Sequence, residues 1–260
     1  MDRGLSDGAH TPRFGPTFLP VSIVLPMGQP PNFLFSILIL VHLLLLTFWL
    51  GGDLGTYYSS RQVTKPGLSV DARRISLKIM AFCDMGPRLC MPLFLASGTL
   101  LIVADPRGQQ FKLLAIPVVL FTALWVALVL VEHNVAGDKP IKLISLKLDY
   151  AVRIAVIAGT AIGGIYAMVV TDPFGVQTNP KWLGLKILLY GVTILCGVLI
   201  RLSLKPFSGG FKSLIIDGSS EAAERAIAGS MARATPFVYV IWTLVILIAW
   251  LGVAKPGANL

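Results

Sequence analysis

The sequence predicts an all-α polytopic membrane bundle of about six transmembrane helices, and three observations carry that prediction. Of its 260 residues, 55% are hydrophobic and only 13% charged, where a soluble domain has about a quarter charged. Mean hydropathy is +0.77. Six apolar segments, at 32–50, 87–104, 112–133, 149–170, 180–202 and 235–254, are each long enough at about 1.5 Å per residue to cross a hydrocarbon core of about 30 Å.

The same composition excludes other classes. Cys83, Cys90 and Cys196 are too few for a disulfide framework and show no CxxC or Cys/His zinc spacing. There is no P-loop, no GxGxxG opening after a strand, no GxSxG elbow and no HExxH, so nothing points to soluble-enzyme chemistry.

Residues 1–31 carry Pro12, Pro16, Pro20, Pro26, Pro30 and Pro31 around a short apolar patch, which reads as an extended arm rather than a cleavable signal peptide. Residues 32–254 form the bundle and 255–260 a short tail. Lys and Arg distribute unevenly among the connections. The first carries Arg61, Lys65, Arg73, Arg74 and Lys78, the third Lys139, Lys142 and Lys147, and the fifth Lys205, Lys212, Arg225 and Arg233; the second has Arg107 and the fourth Lys181. Short basic loops resist translocation, so the odd connections are expected in the cytoplasm and both termini outside, in a multi-pass plasma (inner) membrane protein. The +9 formal charge then records orientation and implies no nucleic-acid partner.

Within the first and fifth connections, Ser69-Val70-Asp71 and Ser219-Ser220-Glu221 offer a capping hydroxyl followed by acid, predicting cytoplasmic helices near 69–86 and 219–234 that lie along the membrane surface. Spans two and four share a pattern. Arg88 is followed ten residues later by Gly98 and then Asp105-Pro106-Arg107-Gly108; Arg153 is followed at the same interval by Gly163 and then Asp172-Pro173-Phe174-Gly175. A duplication of helix pairs gives this pattern, and so do independent helix starts and tight turns. In span four, Ala151, Ala155, Gly159, Gly163 and Ala167 make a ridge of small residues that admits a neighbouring helix or the flat face of a porphyrin.

Ionisable residues at membrane depth are costly and are site candidates. His42 lies near the middle of span one, and His42, Leu46, Trp49 and Asp53 share one helical stripe expected to face the bundle. Its imidazole suits haem iron or copper, or a hydrogen bond to a backbone carbonyl or a Ser/Thr across the bundle. Lys186 shares a face with Tyr190, Thr193 and Gly197, and either acts inside the bundle or snorkels to the outer surface. Glu132 and His133 end span three, where His133 is a second candidate metal ligand or a simple helix-end residue. Arg88 and Arg153 begin their spans, placed to pair with Asp84 and Asp149, with headgroups or with haem propionates.

The run Val41-His42-Leu43-Leu44 followed by Trp49-Leu50-Gly51-Gly52-Asp53-Leu54-Gly55 resembles the opening of the integral-membrane group that includes HemJ-type protoporphyrinogen oxidases and CopD-type copper-resistance proteins. Trp182-Leu183-Gly184-Leu185-Lys186 is similar to the membrane lysine motif of the HemJ group. The resemblance implies a bound haem b, with His42 as axial ligand or catalytic residue and Lys186 as its partner lysine. HemJ-type proteins have about four spans in a shorter chain, whereas six are predicted here. The expectation is a membrane protein that binds haem b through His42, with Arg88, Arg153, Gly159 and Gly163 around the cofactor, and takes part in redox chemistry. Copper handling, and a non-catalytic subunit packing against partner membrane proteins or its own copies, are the alternatives.

Overall fold

A computed structural model describes residues 33–135, 137, 139–171 and 181–257; the Pro-rich arm, the Asp172–Gly175 turn of the repeat and the last residues of the tail lie outside the described residues. Seven α-helices follow in order: α1 (Phe33–Val63), α2 (Val70–Ala104), α3 (Lys112–Asn134), α4 (Pro140–Val169), α5 (Lys181–Ser203), α6 (Lys205–Asp217) and α7 (Glu221–Ala254), with a 3₁₀ segment at Pro106–Phe111 between α2 and α3. No strand occurs among the described residues. Six segments are long and apolar enough to cross a bilayer, so the chain is a multi-pass helical membrane protein.

The helices are longer than the apolar runs predict. At about 1.5 Å per residue, the 35 residues of α2 and the 34 of α7 outreach a hydrocarbon core of about 30 Å. The expected surface helices near 69–86 and 219–234 are the first halves of α2 and α7, continuous with their spans. Their starts are as predicted. Ser69 Oγ accepts from the Ala72 amide and Ser220 Oγ from the Ala223 amide, each at 3.3 Å, and Asp71, Glu221 and Glu224 occupy the first turns. Nothing then stops either helix, because Pro87, Pro92 and Pro236 remove amide donors without breaking helices packed on both sides. Most of the basic residues assigned to loops therefore sit on helical extensions. The short α6, which hydropathy alone did not mark, folds back on α7, where Gly210 lies against Ala223 and Ala226.

The bundle is apolar outside as well as inside. Phe33, Leu113, Ile162, Val169 and Val253 are all more than two-thirds exposed, as expected for side chains facing lipid. The main core joins Trp49, Cys90, Met91, Trp125, Val156, Ile194 and Val245, and a second cluster of Val63, Phe211, Leu214 and Ile227 holds the α6 end. Of the predicted ridge on α4, Ala155 and Gly159 are exposed and nothing approaches within 4 Å of the Cβ positions of Gly159 and Gly163. The buried small face runs one residue further round at Thr160 and Gly164 and shares only Ala167 with the predicted ridge; these three meet α5 at Gly184 and Gly191. A four-residue repeat does not distinguish adjacent faces about 100° apart.

Candidate functional site

A cavity of about 620 Å³ opens between α1, α2, α5 and α7, reaching from mid-bundle to the end that carries the 3₁₀ segment and the end of α7. From α1, His42, Leu46 and Trp49 line it; from α5, Lys186, Tyr190 and Thr193 do. Three of the four residues of each stripe read from helical spacing thus face one chamber and bring His42 and Lys186 together, while Asp53, the last of the α1 stripe, is not among the lining residues and accepts from Trp49 Nε1 at 3.0 Å. Gly197, the last member of the α5 stripe, lies instead against Met91 and Arg153. Phe94, Leu95, Gly98 and Thr99 of α2 and Val245, Ile248, Ala249 and Gly252 of α7 complete most of the apolar wall.

His42 is fixed on two sides. Its Nδ1 lies 2.8 Å from Ser97 Oγ, and its ring meets the Phe94 ring nearly edge-on, with centroids 4.8 Å apart. The Ser97 hydroxyl has one proton and lies 2.8 Å from the Leu93 carbonyl, which only accepts. That hydroxyl therefore accepts from the imidazole, which assigns the neutral ring's proton to Nδ1 and its lone pair to Nε2. The cross-bundle bond to a Ser and an available ligand nitrogen, set as alternatives by the sequence, coexist in one geometry.

Lys186 is half-buried. Its Nζ lies against Gly252 of α7, where a Cβ would sit 2.6 Å from it. No carboxylate among the described residues pairs with it. At the mouth stand Asp105, Gly108 and Phe111 from the connection after α2, with Trp182 and Lys255 opposite.

A second polar assembly crosses the bundle behind the cavity. Asp149, fully buried, accepts from Arg153 Nε at 2.7 Å and from Trp125 Nε1 at 2.8 Å. Arg201 reaches Asp149 at 2.9 Å and Glu132 at 3.1 Å. Arg153 Nη1 points at Met91 Sδ, whose backbone carbonyl accepts from Tyr190 Oη at 2.7 Å. Tyr190 is shared between this assembly and the cavity. Two carboxylates and two guanidiniums balance in charge, which is what makes their burial tolerable.

The remaining predicted residues fall elsewhere. Arg88 pairs with Asp84 at 2.5 Å in a half-exposed i,i+4 bridge, and Arg153 pairs with Asp149, so both take the carboxylate four residues earlier. His133 is exposed at the end of α3, and Gly159 and Gly163 look away from the interior. None of these five lines the cavity. Among the described residues no group of three or more His, Cys, Asp or Glu side chains is placed to hold a metal ion.

No family model, curated protein or solved structure matches the chain. Its chemistry is therefore read from the donors it presents. A lone imidazole is a poor site for a bare ion but a sufficient one for an iron already held by a porphyrin.

Sequence reasoning missed Ser97, Arg201 and the burial of Glu132. The side chain of Glu132 is only 7% exposed, although its place at a helix end suggested solvent. The signal available was the run Val198-Leu199-Ile200-Arg201-Leu202, an arginine inside apolar sequence that has to find a buried partner.

Proposed function

We propose that this protein binds haem b in the cavity through His42 and takes part in redox or electron-transfer chemistry within the membrane, in keeping with the resemblance to the HemJ/CopD group. The observation that carries the reading is the His42 ring, tied through Nδ1 to Ser97 and lining an apolar chamber with Lys186. Haem supplies one-electron chemistry when bound. The chain's own residues do the rest. Ser97 and Phe94 hold the imidazole plane, the leucines and aromatics of α1 and α2 exclude water, and Lys186 places a cation within the chamber. If the protein is an enzyme of the HemJ type, an oxidase of protoporphyrinogen, His42 and Lys186 are its catalytic candidates.

Copper is less well served, because soft Cu(I) favours several N or S ligands and His42 is the sole His or Cys among the lining residues. A subunit role has one observation in its favour: the exposed Ala155–Gly159 stretch of α4 leaves room for another helix to approach closely. The basic connections support a cytoplasmic placement of their end of the bundle, with the cavity mouth and both termini outside. A reporter fused after Leu260 is then active only outside the cytoplasm.

The test of the cofactor is the absorption spectrum of detergent-purified protein expressed with ample haem, oxidised and then dithionite-reduced. A Soret band lost in His42→Ala and kept in His133→Ala supports the reading, and its absence from the wild type overturns it. Stoichiometric copper in the purified protein favours the transport alternative.

A further inference from the structure

We infer that the mouth side of the cavity is an oxyanion site, in which Lys186 and Lys255 hold the carboxylate or phosphate of an amphipathic ligand whose apolar body lies against α1 and α2. This rests on reading the cavity as a ligand site and does not require that the ligand be haem.

Three observations converge. The first is charge without a partner. Lys186 sits within a membrane-spanning helix, its ammonium inside an apolar chamber and with no anionic partner among the described residues. An ammonium in such surroundings is strongly unfavourable until an opposite charge reaches it. Asp105, a carboxylate at the mouth, has interactions of its own. Lys255 lines the same cavity at its mouth, so two like charges face one chamber with an anion able to serve both.

The second is the backbone that presents Lys255. It ends α7 in the left-handed conformation, φ 41° and ψ 57°, the only described non-glycine residue with positive φ. Glycine ordinarily takes this position because a Cβ is strained there. A lysine in its place directs its ammonium over the Trp182 ring, 5.8 Å from the centroid, on the cavity's rim.

The third is the room made for Lys186. The absence of a side chain at Gly252, one turn before Lys255, is what lets the ammonium lie against α7 rather than extend to the surface. The opposite wall, from Phe35, Ile39 and Leu43 of α1 to Leu101 and Ile102 of α2, is mostly apolar, with His42 and Thr99 its polar side chains. A ligand that satisfies both sides is an anion joined to a hydrophobic body. Haem propionates and the headgroup of a fatty acid or lipid both carry that chemistry.

The experiment uses the full chain in a neutral maltoside detergent. Thermal midpoints are measured with palmitate and with hexadecanol, which share a chain and differ in charge, and spectral titrations with haem b and with its dimethyl ester. The expected result is a midpoint raised several degrees more by palmitate than by hexadecanol. That preference falls about tenfold in apparent affinity in Lys186→Gln or Lys255→Gln, disappears in the double variant and survives Lys186→Arg. Gly252→Ala, which displaces the ammonium without removing a charge, weakens it as well and guards against a folding defect in the glutamine variants. If haem binds, haem b exceeds the ester by a similar factor, and a fatty-acid preference without any Soret band identifies a lipid anion as the ligand. Equal shifts from palmitate and hexadecanol, with equal affinity for haem b and its ester, overturn the oxyanion site. A Soret band that depends on His42 but is indifferent to esterification leaves the haem reading standing while removing this one.

Discussion

His42 on α1 and Ser97 on α2 form a single cross-helix hydrogen bond, Nδ1 to Oγ at 2.8 Å, and that bond decides which imidazole nitrogen can serve a ligand. Outer partners of this kind set ligand affinity by about 10–100-fold. Ser97→Ala is therefore expected to weaken haem binding by about that factor without abolishing it, and to lower the stability of the ligand-free protein by about 1–3 kcal/mol through the unpaired Nδ1–H. Unaltered haem affinity in this variant would show that the ring's orientation comes from packing on Phe94 alone.

Asp149 binds Arg153, Arg201 and Trp125 at once. Asp149→Ala leaves two guanidiniums facing each other in the bundle and is expected to destabilise by about 3–5 kcal/mol, the usual cost of stranding a buried charge. Asp149→Leu combined with Arg153→Leu removes one charge of each sign and leaves Arg201 with Glu132, so the double variant should recover much of that loss. Thermal midpoints of the single and double variants in detergent decide the matter, and a double variant worse than the sum of its parts contradicts it.

Gly164 and Gly159 differ by five residues on one helix and by everything in their surroundings. A Cβ on Gly164 meets the Gly184 carbonyl at 2.7 Å, whereas a Cβ on Gly159 meets nothing within 4 Å. Gly164→Ala is expected to cost about 1–3 kcal/mol through forced separation of α4 and α5. Gly159→Ala should be neutral or stabilise by about 0.5–1 kcal/mol through helix propensity. A marked loss in Gly159→Ala would instead indicate a helix from another chain seated on that face.

The extended ends of α2 and α7 are clamped by Arg73 and Glu224, a bidentate pair at 2.6 and 2.9 Å, with Arg73 Nε also donating to the Val63 carbonyl at 2.7 Å. Arg73 is only 1% exposed, so Glu224→Ala strands it. The cost should lie below the ~3–5 kcal/mol of a fully enclosed pair, because Glu224 is partly exposed, and above the ≲1 kcal/mol of a surface pair. The comparison is Asp71→Ala, whose partner Arg74 is 3.8 Å away and well exposed. Limited proteolysis of the α6–α7 connection should accelerate in Glu224→Ala and not in Asp71→Ala.

Much of this arrangement is legible in the sequence, and the limits of legibility follow from what each signal encodes. Hydropathy marks where lipid can surround a helix, so the spans were placed but the helical extensions of α2 and α7 and the whole of α6 were not. Hydroxyl–acid caps at Ser69 and Ser220 gave the helix starts. Helical spacing placed His42 with Trp49 and Lys186 with Tyr190 on inward faces. It failed on α4, where the small residues occupy two adjacent faces and only packing against Gly184 tells them apart.

By itself, then, the sequence determined that the chain is a six-span helical bundle and that His42 and Lys186 are its conspicuous polar residues at membrane depth, because burial cost and helical period are local properties. The tertiary structure alone decided that these two residues line one cavity, that Ser97 fixes the imidazole tautomer, and that Glu132 and Arg201 are buried with Asp149 and Arg153. Those outcomes depend on which helix lies beside which and at what depth, and the relevant contacts join residues 55 apart for His42 and Ser97 and 69 apart for Glu132 and Arg201. No local pattern spans that distance; only the packing of whole helices does.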